Sequence, residues 1–151
     1  MANGHDFVNF PELTNSQMQI YYFESPHKQI MEDFTARVVK VQDGDTITLE
    51  WSQRDFNFPL RFATTNAPEL NETGGEESKK WLNAKLLGKE VDIIINPRNR
   101  VGKYGRLLGT VFFGGMNVGL ESIMVGHSTL LTQKAEGEVG NLSRAIPYLK
   151  L

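Results

Sequence analysis

Apolar residues recur every second position along the early part of the chain. Val39, Val41, Ile47, Leu49 and Trp51 alternate with polar neighbours on either side of Asp43-Gly44-Asp45, the pattern of a half-buried hairpin around a tight turn. Phe56, Phe58, Leu60 and Phe62 repeat the alternation and predict a third strand. The period then lengthens. Thr73-Gly74-Gly75 opens a helix with Glu76 and Glu77 in its first turn, where carboxylates complement the positive end of the helix dipole. Trp81, Leu82 and Leu86 supply its apolar face, and Gly88 is a natural stop. Val91, Ile93 and Ile95 predict a fourth strand, and residues 107–113 a fifth, turned by Gly114-Gly115. Asn117 then caps a second helix that ends at Gly126.

Three strands, a helix, two strands and a helix follow the order of a five-stranded Greek-key β-barrel of the OB type, a mainly β fold with helices (α+β). Periodicity alone also allows an open sheet carrying two helices. These elements fall within residues 35–134. Residues 1–34 form a different kind of segment, an N-terminal arm rich in aromatics (Phe7, Phe10, Tyr21, Tyr22, Phe23) with no sustained period. A short helix is expected in it from Asn15-Ser16 through Met18 and Ile20, stopped by Ser25-Pro26. So many rings imply that the arm packs on something, its own barrel or a protein partner. Residues 135–151, with Gly137, Gly140 and Pro147, read as a C-terminal tail.

Composition narrows the class. The 151 residues are 40% hydrophobic and 23% charged, the balance of one globular domain. No apolar run approaches the ~18 residues of a membrane span, and the first residues lack a secretory signal pattern. A cytoplasmic location, or carriage within a larger particle, is therefore expected, without membrane contact. Zero cysteines exclude disulfides, thiolate metal sites and cysteine nucleophiles. The net charge of −2 is not that of a typical nucleic-acid binder, but it is unevenly spread. Lys79, Lys80, Lys85, Lys89, Arg98, Arg100, Lys103 and Arg106 face only Glu90 and Asp92 in one stretch, which reads either as a basic surface or as a solvated helix face plus a loop.

Three segments concentrate chemistry-bearing residues. Asp43-Gly44-Asp45-Thr46 puts two carboxylates on a tight turn, although Asp-Gly turns commonly bind nothing. The segment from Leu60 through Arg61, Asn66, Ala67 and Pro68 to Glu69 places an arginine on an apolar strand, free to form a structural ion pair, for instance with Glu69. Gly102-Lys103-Tyr104-Gly105-Arg106 delivers a second arginine at the start of a strand. Read singly, each suits a structural role.

Taken in order, Asp-Gly-Asp-Thr, then Arg with Pro-Glu eight residues on, then Lys-Tyr-Gly-Arg resemble the staphylococcal nuclease (thermonuclease) family. The similarity extends to Gly75-Glu76-Glu77-Ser78, Gly88-Lys89-Glu90-Val91 and the stretch from Asn117-Val118 to Gly126-His127-Ser128, about two thirds of the chain. The resemblance implies an OB-type barrel with a Ca²⁺-dependent site that cleaves DNA and RNA phosphodiesters with little sequence preference. Carried over, it makes Asp45 a direct metal ligand beside Asn66 and the Ala67 carbonyl. Glu69 would orient or deprotonate the attacking water at the metal, Arg61 and Arg106 would grip the scissile phosphate, and Lys103 and Tyr104 would touch a neighbouring phosphate. Oxygen-only ligands suit a hard cation, and paired guanidiniums suit a phosphate. His5, His27 and His127 lie outside these motifs, and His127 suits capping or packing.

Departures from the family qualify the expectation. Asn66 stands where active members carry a metal-binding aspartate, so the site has one negative charge fewer and weaker Ca²⁺ affinity. Gly102 replaces an aspartate, the position of a second nucleotide-stacking tyrosine falls near Thr132, which is not one, and the C-terminal region lacks the long third helix of the secreted bacterial enzyme. Two readings result: an attenuated metal-dependent endonuclease, or a weak or inactive structural module docked through residues 1–34 into a larger assembly such as a virion.

Overall fold

The computed structural model describes residues 4–131. The tail of residues 135–151 and Thr132 lie outside the described residues. Eight strands and three α-helices follow in the order α1 (Asn15–Tyr21), β1 (Phe34–Asp43), β2 (Thr46–Glu50), β3 (Phe58–Phe62), β4 (Thr65–Asn66), α2 (Gly75–Leu86), β5 (Glu90–Ile94), β6 (Leu107–Phe113), β7 (Met116–Asn117), α3 (Val118–Met124) and β8 (Thr129–Leu130). Strands β3, β2, β1, β5 and β6 hydrogen-bond in sequence, and a parallel β3–β6 pairing closes the ring. Closure removes the exposed edges that an open sheet would present. The barrel is thus the five-stranded one expected, with α1 as the arm helix.

Inward side chains explain the closure. Val38, Ile47, Leu49, Phe58, Leu60, Ile93 and Leu107 are buried in one apolar core, to which Leu82 and Leu86 of α2 and Val118 of α3 also belong. The β1 pattern departs from simple alternation. Val38, not Val39, is buried, because the β1–β2 register shifts between Val38 and Lys40 and again between Val41 and Asp43. A bulge of this kind adds a residue on one side and turns the strand, which a strict period-two reading misses.

The arm lies on its own barrel. Thr14 and Gln17 form a reciprocal capping box that starts α1. Leu13 and Ile30 are fully buried. Glu12 meets Arg54 through two hydrogen bonds of 2.5 and 2.9 Å with both side chains out of solvent. The Arg54 guanidinium also lies 4.5 Å from the Phe58 ring and 5.1 Å from the Phe56 ring. Arg100 is only 2% exposed and donates to the carbonyls of Ile30 and Leu13 and to Asn15 Oδ1. It therefore does not belong to the basic surface that its sequence neighbours suggested. Lys85 likewise pairs with Glu121 at 3.1 Å.

Candidate phosphodiester-cleaving site

Three separated segments meet at one mouth of the barrel. The Asp43–Asp45 turn passes beneath the start of α2, where a Cβ on Gly44 would collide with Ser78 and Ala67. The missing side chain lets the turn lie against the loop after β4. Asp45 Oδ2 there accepts the Ala67 N–H at 2.8 Å. The β2–β3 ladder pairs Thr46 with Arg61 and continues through the Phe62 N–H to the Asp45 carbonyl. Leu60 and Phe62 are buried on either side of Arg61, so alternation turns the arginine away from the core.

Arg61 is held by several acceptors. Its Nη1 donates to the carbonyls of Phe62 (2.6 Å) and Thr65 (2.7 Å), and its Nη2 donates to Asn66 Oδ1 at 3.2 Å. Its ion pair is with Asp45, 3.3 Å away, and not with Glu69. The Thr46 hydroxyl joins the two arginine motifs, since it donates to Asp45 Oδ1 at 3.1 Å and accepts from Arg106 Nη1 at 3.4 Å. The motif contained Thr46, but nothing in its spacing marked the hydroxyl as a bridge.

Arg106 arrives from a tight turn. Gly102 N–H bonds the Arg106 carbonyl and Gly105 N–H bonds the Gly102 carbonyl, with Gly105 at a φ of 81° that favours glycine. Tyr104 at its tip is 68% exposed. Lys103 Nζ lies 5.2 Å from its ring centre and the Arg106 guanidinium 6.0 Å away. Glu69 is exposed on the loop after β4. Among the described residues its carboxylate makes no bond to Asp45, Arg61 or Arg106, while its N–H donates to Glu72 at 2.7 Å. The structure thus gathers Asp45, Arg61, Asn66, Ala67 and Arg106 directly, leaving Glu69 at the rim.

Beside Asn66 opens a groove of about 460 Å³ lined by Asn66, Pro68, Glu72, His127 and Thr129. The short β4–β8 pairing, unrecognised in the sequence, sets two of the lining residues, Asn66 and Thr129, side by side. His127 packs 5.8 Å from Trp81, a packing role.

Electrostatics distinguish Asp45. Burial pushes its carboxyl up to about 6, with the Asp43 side chain adding to the rise and Arg61 and the Ala67 N–H opposing it. Desolvation thus outweighs the Arg61 guanidinium 3.3 Å away in setting the proton affinity of this carboxyl. Asp43, Asp45 and the Asn66 amide offer oxygen atoms only, the donor chemistry that suits a hard cation, while Asp45 Oδ2 and Asn66 Oδ1 already accept from the Ala67 N–H and from Arg61. Among the described residues no group of three or more acidic or histidine side chains converges on one point, so the set carries little charge.

A family model for the staphylococcal nuclease homologue matches residues 59–144. An "Uncharacterized endonuclease" of Haemophilus influenzae is 34% identical over 95 residues, covering 63% of this chain and 51% of the relative. A protein of the same description from Escherichia coli O157:H7 is 33% identical over 102 residues, covering 67% and 63%. A "Micrococcal nuclease" of Shigella flexneri is 31% identical over 80 residues, covering 53% and 43%. The chain therefore spans about half to just under two thirds of the first two relatives' length. Among the described residues no helix is long and apolar enough to cross a membrane.

Proposed function

The chain belongs to the staphylococcal nuclease family, and from that premise we propose that it is a divalent-metal-dependent nuclease that hydrolyses DNA or RNA phosphodiesters with little sequence preference. The observation that carries the reading is the bonded chain from Arg61 through Asp45 and Thr46 to Arg106, which unites residues of three motifs at one mouth. The printed names of the relatives, endonuclease and micrococcal nuclease, agree with it.

Attack on a phosphodiester builds negative charge on the equatorial oxygens. Two guanidiniums stabilise that charge more than they stabilise the bound substrate. Arg61 is oriented by backbone carbonyls, so it needs little reorganisation when charge develops. Among the described residues the one side-chain hydrogen bond of Arg106 is the long one to Thr46, so it is available to follow the phosphate. Lys103 and Tyr104 stand exposed on the same turn to meet the next phosphate. Glu69, on the rim, orients or deprotonates the attacking water. When bound, Ca²⁺ would supply Lewis-acid stabilisation of the phosphate and lower the pKa of a bound water, held by Asp45, Asn66 and the Ala67 carbonyl with Glu69 alongside. Asn66 contributes an amide in place of a second charge, which weakens affinity and attenuates the activity.

The arm bears on the choice between a free enzyme and a docked scaffold. Its bonds through Glu12, Leu13, Asn15 and Ile30 are made within the chain, which supports the enzyme reading. Degradation of plasmid and of single-stranded oligonucleotide across a calcium series tests the function. Cleavage at millimolar calcium, abolished by chelation and reduced about 10²–10³-fold in Arg61→Ala and Glu69→Gln, is expected. No cleavage, or cleavage undiminished in both variants, overturns it.

A further inference from the structure

Among the described residues one arm ring is without a ring partner. Phe7 packs edge-on against His5 and His27, His27 packs against Phe56, and Tyr22 packs against Phe23. Phe10 differs. Among the described residues its ring makes no aromatic or cation contact, and 47% of the residue is open to solvent. It is nevertheless held in place. Its N–H donates to the Asp6 carbonyl at 3.0 Å and its own carbonyl meets His5 Nε2 at 2.7 Å.

Its position gives it significance. A Cβ built on Gly105 would lie 2.9 Å from Phe10 Cδ1, so the ring rests on the backbone of the turn that carries Lys103, Tyr104 and Arg106. A half-exposed ring seated on the turn that carries two cations and an exposed tyrosine has the composition of a platform for single-stranded nucleic acid. There cations track phosphates while aromatic faces take the bases. Tyr104 already has Lys103 and Arg106 near its ring, which leaves Phe10 as the uncommitted face.

We propose that Phe10 and the 102–106 turn form a stacking subsite for an unpaired base of the substrate strand, next to the phosphate held by Arg106 and Lys103. This rests on the nuclease reading above and adds a base contact to it, supplied by the arm. Unpaired strands fit the subsite and duplex does not, because a base must leave its stack to reach the ring.

Competition against the calcium-dependent cleavage of a labelled plasmid, combined with direct binding by fluorescence anisotropy, tests the subsite. The probes are a short oligodeoxythymidine and its abasic counterpart with the same backbone. Phe10→Ala and Phe10→Leu are expected to weaken the oligodeoxythymidine about tenfold and leave the abasic strand unchanged, since one base–ring stack is lost. Phe10→Trp should keep the affinity and show fluorescence quenching with the base-bearing strand only. Phe10→Leu preserves an apolar contact with Gly105, so it separates stacking from seating of the turn. Equal losses on both strands, or no loss in either variant, overturn the subsite while leaving the nuclease reading intact. A wild-type chain that neither binds nor cleaves any strand overturns both.

Discussion

An acid grouped with two arginines occurs twice in this molecule, with opposite consequences. In the first group Glu12, Arg54 and Arg100 lie out of solvent, and their bonds join the arm to the barrel. In the second, Asp45 pairs with Arg61 while Arg106 reaches the same cluster only through a 3.4 Å contact with Thr46. The first group is closed, with Arg54 walled by Phe56 and Phe58. The second opens on the rim that bears Glu69 and Tyr104. The same residue types therefore anchor a segment in one place and can meet an anion in the other. What separates them is burial: Arg54 and Arg100 are sealed from solvent, whereas Arg61 and Arg106 stay partly exposed and Arg106 is held by one long bond to Thr46.

The strongest way to break the comparison is Glu12→Ala. It leaves Arg54 buried without its counter-charge and is expected to cost about 3–5 kcal/mol of stability in urea denaturation. Activity should fall only as the folded fraction falls. Arg106→Ala is expected to show the reverse: cleavage reduced about 10²–10³-fold with stability changed by less than about 0.5 kcal/mol. A large loss of stability there would show that the open group is also a fold anchor.

Asp45 gives the comparison a pH signature. Its carboxyl is raised to about 6 by burial, above the ordinary 3.8. The folded protein thus binds that proton more tightly than the unfolded chain does. Its contribution to stability is full below about pH 4 and is lost as pH rises through about 6, a change of roughly 2–3 kcal/mol in calcium-free buffer. Asp45→Asn should flatten that slope, as followed by denaturation at several pH values. Calcium should reverse it by favouring the ionised form. The smallest effect is expected from Asn66→Asp, a several-fold tightening in a calcium titration, because one carboxylate replaces one amide in the donor set. An unchanged titration would remove Asn66 from the cation site.

Much of the barrel was legible because its signals are local. Alternation around Asp43-Gly44-Asp45, the Asn117 cap of α3 and the glycine before α2 each act within a few residues, and each element formed where they placed it. The site motifs were legible as residue types for the same reason. Their partners were not. Arg61 was open to pairing with Glu69 eight positions on, yet the β2–β3 register brings Asp45 to it instead. Arg100 looked like one more cation of a basic stretch, and only the return of the arm onto the barrel revealed it as buried. The β1 bulge that puts Val38 inside depends on how two strands mesh, which a one-dimensional period does not encode.

The sequence by itself thus determined which elements form, where the turns fall and which residue types its three motifs bring together. Periodicity, caps and turn residues act through neighbours in the chain. The tertiary structure alone decided which charges are buried with one another and which stay open, and where residues 4–34 come to rest. Ion pairing and burial depend on distance in space, and the partners lie up to 87 residues apart, as for the Arg100 bond to Leu13. Phe10 shows the division most plainly: one of several arm aromatics in the sequence, and in the fold a ring resting against Gly105 on the turn that carries Lys103, Tyr104 and Arg106.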